Sequence, residues 1–560
     1  MSPQGRALRP ALAAALFLTP TLVFGSAHAA APPPASGQIL QEVKPSATPA
    51  PNAAPGLTIQ RPAASESPRT QAFEVRRFEI TGATLLPTSD LHALVASGEG
   101  KTLTLADIDV LAARITDAYH RKGYPLAEAY VPAQTVSDGV VRIAVVEARY
   151  GAVSLHNASR VSDGILAATL APLQAGNPVA EGPLDRSLLL LTDIPGMVVN
   201  STLRPGAVTG TSVLQVDVGP GPLFDATFSV DDFGNPYTGR ARFSGTVDVD
   251  SPMGHGDLLT LSGQTEGDGL NYGRLAYQIP LTGGGLRLGA AISGLDYHLG
   301  GKFSAIGAHG SAIVEDVTLG QPILRGVRYN LNVQVAYDHK DLDDDITAGA
   351  IGTDRHTDQG IAILSGSATD DSGIFTGNLS VTAGHVGFDN TAARLADLGG
   401  ARTQGEYGLI NLSLTRLQQL PYKSALYLAV SGQLATKNLD SSEQFILGGP
   451  TSVRAYDVGA LSGDQGALGS VEVRHDLGEL FLGDWQAIAF FDAGTVQLNE
   501  AAFGHGPNRA TIAGAGGGLN WTGPHRWQLS LSLATPVGGS PTLVGPTASV
   551  RCWAQLQKSF

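Results

Sequence analysis

Cysteine is nearly absent. Cys552 is the one cysteine in 560 residues, which excludes an intrachain disulfide and leaves it as a small apolar side chain in a strand. Charge is also scarce, at 15 % of residues, and the balance of −14 has the wrong sign for a nucleic-acid surface. After the N-terminus no apolar run is long enough for a membrane helix, so a helical membrane protein is excluded. The 13 histidines are scattered, with none spaced like metal ligands. Gly514-Ala515-Gly516-Gly517-Gly518 lacks the lysine of a phosphate loop and reads as strand residues that let another backbone approach. Asp341-Leu342-Asp343-Asp344-Asp345 opens like a calcium loop. It has Ile346 where the turn glycine belongs and no closing glutamate, and so reads as a solvated loop. No catalytic residue, cofactor or metal is assigned.

The N-terminus has the pattern of an export signal over residues 1–29. Arg6 and Arg9 precede an apolar core from Ala11 to Phe24, and Ala27-His28-Ala29 offers a cleavage site. Residues 30–72 read as a Pro/Ala-rich linker interrupted by one short helix, at about 36–45. Two copies of a strand-helix-helix-strand-strand order follow, at 73–148 and 149–221. In the first, Thr104 and Asp107 form a capping box ahead of a helix with apolar Ile108, Leu111, Ala112, Ile115 and Tyr119. Pro220-Gly221-Pro222 closes the second copy.

From residue 222 to 560 the helical signals stop and alternation of period two begins. Leu331, Val333, Val335 and Tyr337 alternate with Asn332, Gln334 and Asp338, and Trp527, Leu529, Leu531 and Leu533 with Gln528, Ser530 and Ser532. The polar faces carry Ser, Thr, Asn and Gln, as a wet lumen requires. About 340 residues at roughly 21 per strand and turn give about sixteen antiparallel strands, within the even range of membrane barrels. Lipid satisfies no open edge, so the sheet must close.

Two motifs stand out within this region. Gly448-Gly449-Pro450-Thr451-Ser452-Val453-Arg454-Ala455-Tyr456-Asp457 is a turn-rich loop with one arginine, and Phe490-Phe491-Asp492-Ala493-Gly494 is a strand with one carboxylate. Arg454 and Asp492 have the chemistry for a bidentate pair. The alternation leaves open which face of the strand looks inward. Arg454 as an ordinary surface residue and Asp492 as a turn cap is the competing reading.

The whole order resembles the two-partner secretion transporters, the haemolysin secretion/activation (ShlB/FhaC/HecB) family of the Omp85 superfamily. Ile80-Thr81-Gly82-Ala83, Tyr119 to Tyr124, Val131-Pro132-Ala133-Gln134 and Gly139 to Glu147 resemble that family's POTRA modules, and Ser36 to Val43 its lumenal plug helix. The resemblance implies that Gly448, Gly449, Ser452, Val453, Arg454 and Tyr456 are the signature of a loop folded into the barrel. Asp492, with Phe490, Phe491 and Gly494, would be the matching wall strand, and Phe560 the signal to the barrel-assembly machinery. It implies an outer-membrane pore that exports a large exoprotein with an N-terminal secretion domain, with activation of that client as a further expectation. The POTRA modules would hold the unfolded client in the periplasm, and no ATP would be used. Family members usually have glycine where this chain has Ala455; at φ > 0 alanine would cost roughly 1 kcal/mol. An Omp85 insertase, an outer-membrane barrel enzyme and a diffusion porin are the alternatives.

Overall fold

The computed structural model describes residues 33–43, 56–59, 72–504, 506–539, 541–545 and 547–560. The export signal and most of the linker lie outside these residues. The first helix, α1 (Ser36–Val43), precedes a short strand, β1 (Leu57–Ile59). Two α/β modules follow.

The first module comprises β2 (Ala72–Val75), β3 (Arg77–Thr81), α2 (Thr88–Val95), β4 (Lys101–Thr104), α3 (Leu105–Arg121), β5 (Glu128–Tyr130) and β6 (Val140–Val146). The Thr104 side chain accepts from the Asp107 N–H, and the Asp107 carboxylate accepts from the Thr104 N–H, so two orphan donors of α3 are satisfied. The helix lays Ile108, Leu111, Ile115 and Tyr119 onto Phe78, Val141 and Ile143. The short strand β4, paired with β2, has no distinct alternation in sequence.

The second module runs β7 (Arg149–Asn157), α4 (Asp163–Leu170), α5 (Glu181–Thr192), β8 (Met197–Pro205) and β9 (Thr211–Pro220). Both modules share one topology. The first sheet strand runs parallel to the last, and the last runs antiparallel to the middle one. In the second module β1 adds itself in parallel to the free edge of β8, Leu57 opposite Ser201 and Ile59 opposite Leu203.

Glu147 joins the two modules. Buried at their junction, its carboxylate accepts from the Thr84 and Leu85 N–H groups at 2.6 and 2.7 Å, from the Thr84 hydroxyl and from Tyr119 Oη at 2.7 Å. Arg149, the first residue of β7, stands 3.7 Å away and also donates to Thr84 Oγ1.

Sixteen strands then close a barrel. They are β10 (Phe224–Asp231), β11 (Arg242–Asp250), β12 (Leu258–Thr265), β13 (Leu270–Pro280), β14 (Arg287–His298), β15 (Ala308–Arg325), β16 (Tyr329–Ile346), β17 (Ile351–Asp370), β18 (Gly373–Phe388), β19 (Gly405–Leu420) and β20 (Ser424–Ala435). After a lumenal ribbon of β21 (Phe445–Leu447) and β22 (Leu461–Gly463) come β23 (Gln465–Glu479), β24 (Asp484–Gln497), β25 (Arg509–Thr522), β26 (Trp527–Pro536) and β27 (Arg551–Ser559). Every barrel pair is antiparallel, and β10 meets β27 to close the sheet. Outward Val333, Val335 and Tyr337 are exposed, whereas inward Lys340 and Leu342 are fully buried.

The acidic run Asp341–Asp345 departs from expectation. It is not a loop but the upper end of β16, a strand of 18 residues. Aspartate alternates with Lys340, Leu342 and Asp344, so period two holds even where both faces carry charge. Leu342 and Asp344 point inward, to α1.

The second module abuts the barrel at the turns that join β13 to β14 and β15 to β16. Asp193 takes Arg325 bidentately at 2.7 Å for each bond, and Arg186 donates to the Gly284 and Pro322 carbonyls.

Candidate functional site

The loop between β20 and β23 folds into the lumen, its two arms paired as β21 and β22. Gly448 and Gly449 have φ of 101° and 100°, and a Cβ on Gly448 would lie 2.2 Å from the Asp457 carbonyl. Only glycine permits this turn. The Gly448 N–H donates to Ser452 Oγ, and the Tyr456 N–H to the Val453 carbonyl. Val453, Ala455 and Tyr456 are fully buried, packed with Leu447, Phe490 and Ile512.

This packing aims Arg454 at the wall. Its Nε and Nη2 each donate to Asp492 at 2.8 Å, one to each carboxylate oxygen. Its own N–H donates to the same carboxylate at 3.2 Å, and its Nη1 to Glu472 at 2.6 Å. The guanidinium stacks on Phe490, 3.3 Å from the ring centroid. Asp492 is wholly buried and also accepts from Ser470 Oγ at 2.7 Å. Among the residues named from sequence, Asp492 and Phe490 face inward. Phe491 is 44 % exposed on the outer face and does not join the cluster. Gly494 backs the ribbon, since a Cβ there would lie 2.7 Å from Leu447. Phe560 pairs its N–H with the Ala226 carbonyl and its ring with Phe228, outside the barrel and away from the loop.

The sequence reading missed several partners. Glu472 and Ser470 share the inward parity of β23, opposite the outward Val471 and Val473, and that parity could have found them. Trp553 Nε1 donates to the Arg454 carbonyl at 2.7 Å, and Asp457 accepts from Arg240 and Arg551 at 2.7 Å each. Nothing local marks these contacts.

Helix α1 is a second obstruction of the lumen. Ile39, Leu40 and Val43 pack on Leu295, Tyr297 and Leu342. At its start the Ser36 N–H donates to Asp344 at 2.6 Å, and Asp344 also accepts from Tyr297 Oη and Arg355 at 2.6 Å each. Arg355 reaches on to Asp440, and at the far end Asn235 donates to Glu42 at 2.9 Å. A Cβ on Gly37 would lie 2.4 Å from the Ser442 nitrogen, so the helix sits as close to the loop backbone as a glycine allows. Eight residues are too few for a stable free helix, and the lumen supplies the missing stability. A cavity of about 610 Å³ remains between helix, loop and the β10–β12 wall. Among the described residues no cluster of His, Cys, Asp or Glu is arranged to hold a metal.

A barrel of sixteen strands behind α/β modules, obstructed by a helix and a folded-in loop, is a specific combination. Residues 210–521 match the model of the haemolysin secretion/activation proteins ShlB/FhaC/HecB. The chain belongs to this family. Residues 73–148 match the ShlB-type POTRA domain. The heme/hemopexin transporter protein HuxB of Haemophilus influenzae is 26 % identical over 481 residues, 84 % of each chain. The outer membrane transporter CdiB of Escherichia coli O6:K15:H31 is 23 % identical over 261 residues, 47 % of this chain and 44 % of its own. The solved structure of CdiB from Escherichia coli has the same fold, with a TM-score of 0.71 at 19 % identity over 90 % of this chain and 92 % of that one. As a two-partner secretion transporter the chain resides in the outer membrane, with its POTRA modules in the periplasm.

Proposed function

We propose that the protein is a passive conduit that exports one large exoprotein, haemolysin- or adhesin-like, from the periplasm to the cell surface. The observation that carries this reading is a closed barrel whose polar lumen is blocked by two separately fastened elements, α1 and the β20–β23 loop. Both are held by side-chain contacts and can leave without breaking the wall.

The client enters unfolded. The POTRA modules hold it by pairing with an extended segment, a mode that draws affinity from backbone hydrogen bonds and makes little demand on sequence. The β1–β8 pairing supports this, because the β8 edge already accepts an extended strand of this chain. Folding of the client outside the cell, rather than nucleotide hydrolysis, gives the movement its direction. Activation of the client accompanies its passage, and the barrel-assembly machinery inserts the transporter itself. Arg454 and Asp492 act as a latch for the loop and not as a catalytic pair.

The test is deletion of the gene with proteomics of the medium. One large exported protein, encoded by an adjacent reading frame, should disappear and return on complementation. An unchanged secretome would end the export reading.

A further inference from the structure

Three adjacent turns on the periplasmic rim are built against the preferences of their residues. Tyr422 and Lys423, Phe481 and Leu482, and His525 and Arg526 all have positive φ, between 47° and 61°. Hairpin turns of this kind normally use Asn and Gly, because side chains crowd the backbone there. Strain kept at several positions points to side chains that are needed where they stand. The turns are neighbours in space. The Asp476 N–H donates to the Lys423 carbonyl at 2.9 Å, and a Cβ on Gly483 would lie 2.3 Å from Trp521 Nε1.

Their tips are apolar and bare. Tyr422, Leu482 and Phe481, at 91, 82 and 81 %, are the most exposed large apolar side chains among the described residues. The second POTRA module does not shelter them, since it meets the barrel at the turns between β11 and β16. They instead continue the barrel's lipid-facing surface. Exposed Leu420 and Leu477 end the outward rows of β19 and β23, and Trp527 and Phe560 extend the apolar rim beyond Arg526. Trp485 donates its indole N–H to the Leu480 carbonyl at 2.6 Å and so fixes the middle turn. Amphipathic aromatic residues of this kind gather at membrane–water boundaries. Lys423 and Arg526 stand at the outer turns, with Glu479 and Asp484 beside the middle one, so the rim offers both signs of charge.

We propose that these three turns form a foot seated in the periplasmic leaflet, its apolar tips at the acyl boundary and its mixed charges among zwitterionic phospholipid headgroups. Side chains that gain burial in lipid account for a backbone conformation that Asn-Gly would adopt with less strain. The foot fixes one side of the rim in the bilayer, while other turns carry the POTRA modules.

The test uses the full chain with Cys552→Ser and a single cysteine at Tyr422, Phe481 or, as an aqueous control, Val208 of the second POTRA module. Each is labelled with a polarity-sensitive fluorophore in phosphatidylcholine vesicles containing doxyl-labelled phosphatidylcholine. Quenching by doxyl lipid should be at least threefold stronger at 422 and 481 than at 208, and quenching by aqueous iodide correspondingly weaker. Equal iodide access at all three positions overturns the proposal. So does shielding of 422 and 481 that arises only on adding an unfolded protein, such as reduced carboxymethylated α-lactalbumin, which would assign the rim to the client. The double variant Phe481→Asn, Leu482→Gly suits the turn and should leave the barrel folded by heat-modifiable migration. In it, lipid quenching of the label at 422 should fall at least twofold; full retention would count against a shared foot.

Discussion

Gly514 on β25 lies directly beneath Ala455 of the lumenal loop: a Cβ built on the glycine would stand 2.5 Å from the alanine Cβ. Ala455 is not among the residues with positive φ, so it carries none of the backbone strain that a glycine-preferring tip would impose. The methyl group is accommodated by the opposite wall. Gly514→Ala should therefore overpack the site and destabilise the seated loop by about 1–3 kcal/mol. The cost should appear as a lower denaturant midpoint for the folded barrel. Adding Ala455→Gly should restore the midpoint, and failure of that rescue would show that the two residues do not share the space.

Removing Arg454 leaves the fully buried Asp492 without its bidentate partner. Losses of this kind cost about 3–5 kcal/mol, far more than an exposed pair contributes. Arg454→Ala and Asp492→Ala should both keep the barrel in the membrane while lowering export. Arg454→Lys should recover only part, because an ammonium cannot span both oxygens. Normal export at normal surface levels of the alanine variants would remove the latch.

Widening α1 at Gly37 should expel it. A valine there would collide with the Ser442 backbone, and Asp344→Ala would remove the acceptor of the Ser36 N–H. Either change should raise single-channel conductance in planar bilayers severalfold, without lowering the heat-modifiable fraction. Unaltered conductance would mean that the helix does not limit the pore.

The two α/β modules should respond to acid in opposite ways. Burial alone would raise the Glu147 carboxyl, but hydrogen bonds from Thr84, Leu85 and Tyr119 outweigh it and hold the group below its ordinary 4.5. Its stabilisation is present above that value and is lost as pH falls through the lower folded one. Asp185 is pushed from 3.8 up to about 6, first by burial and then by Glu181. Its protonated form favours the folded module, and that contribution is lost as pH rises from about 4 to 6. Hydrogen exchange on the full chain should show Asp185→Asn protecting the second module at pH 7.5 and not at pH 4. Glu147→Gln should weaken the first module at pH 7.5 and matter less in acid. Equal effects at both pH values would rule out the linkage.

Much of this arrangement is legible in the sequence because it rests on local repetition. Alternation along Leu331–Asp338 suffices to show a strand with one wet face, and the Thr104–Asp107 box marks a helix start whatever surrounds it. The loop motif and its wall strand are legible by resemblance, whereas the inward face of Asp492 is not, because apolar residues stand on both sides of β24. Asp341–Asp345 misleads for a physical reason. Strands that rise beyond the lipid no longer need an apolar outer face, so charge there does not end them. Trp553 and Arg240 are invisible as partners of the loop, since their contacts arise only when the sheet curls round to meet itself.

That last contact carries a further meaning. Strands β10 and β27 share only the five pairs from Thr227–Ser559 to Asp231–Gln555. The loop reaches across this seam, with Asp457 holding Arg240 of the first hairpin and Arg551 of the last strand, and the Arg454 carbonyl capped by Trp553. A nascent sheet that lacks either terminal strand cannot satisfy these groups. The seated loop is thus a staple across the barrel's seam, tying the first hairpin to the last strand from inside the lumen.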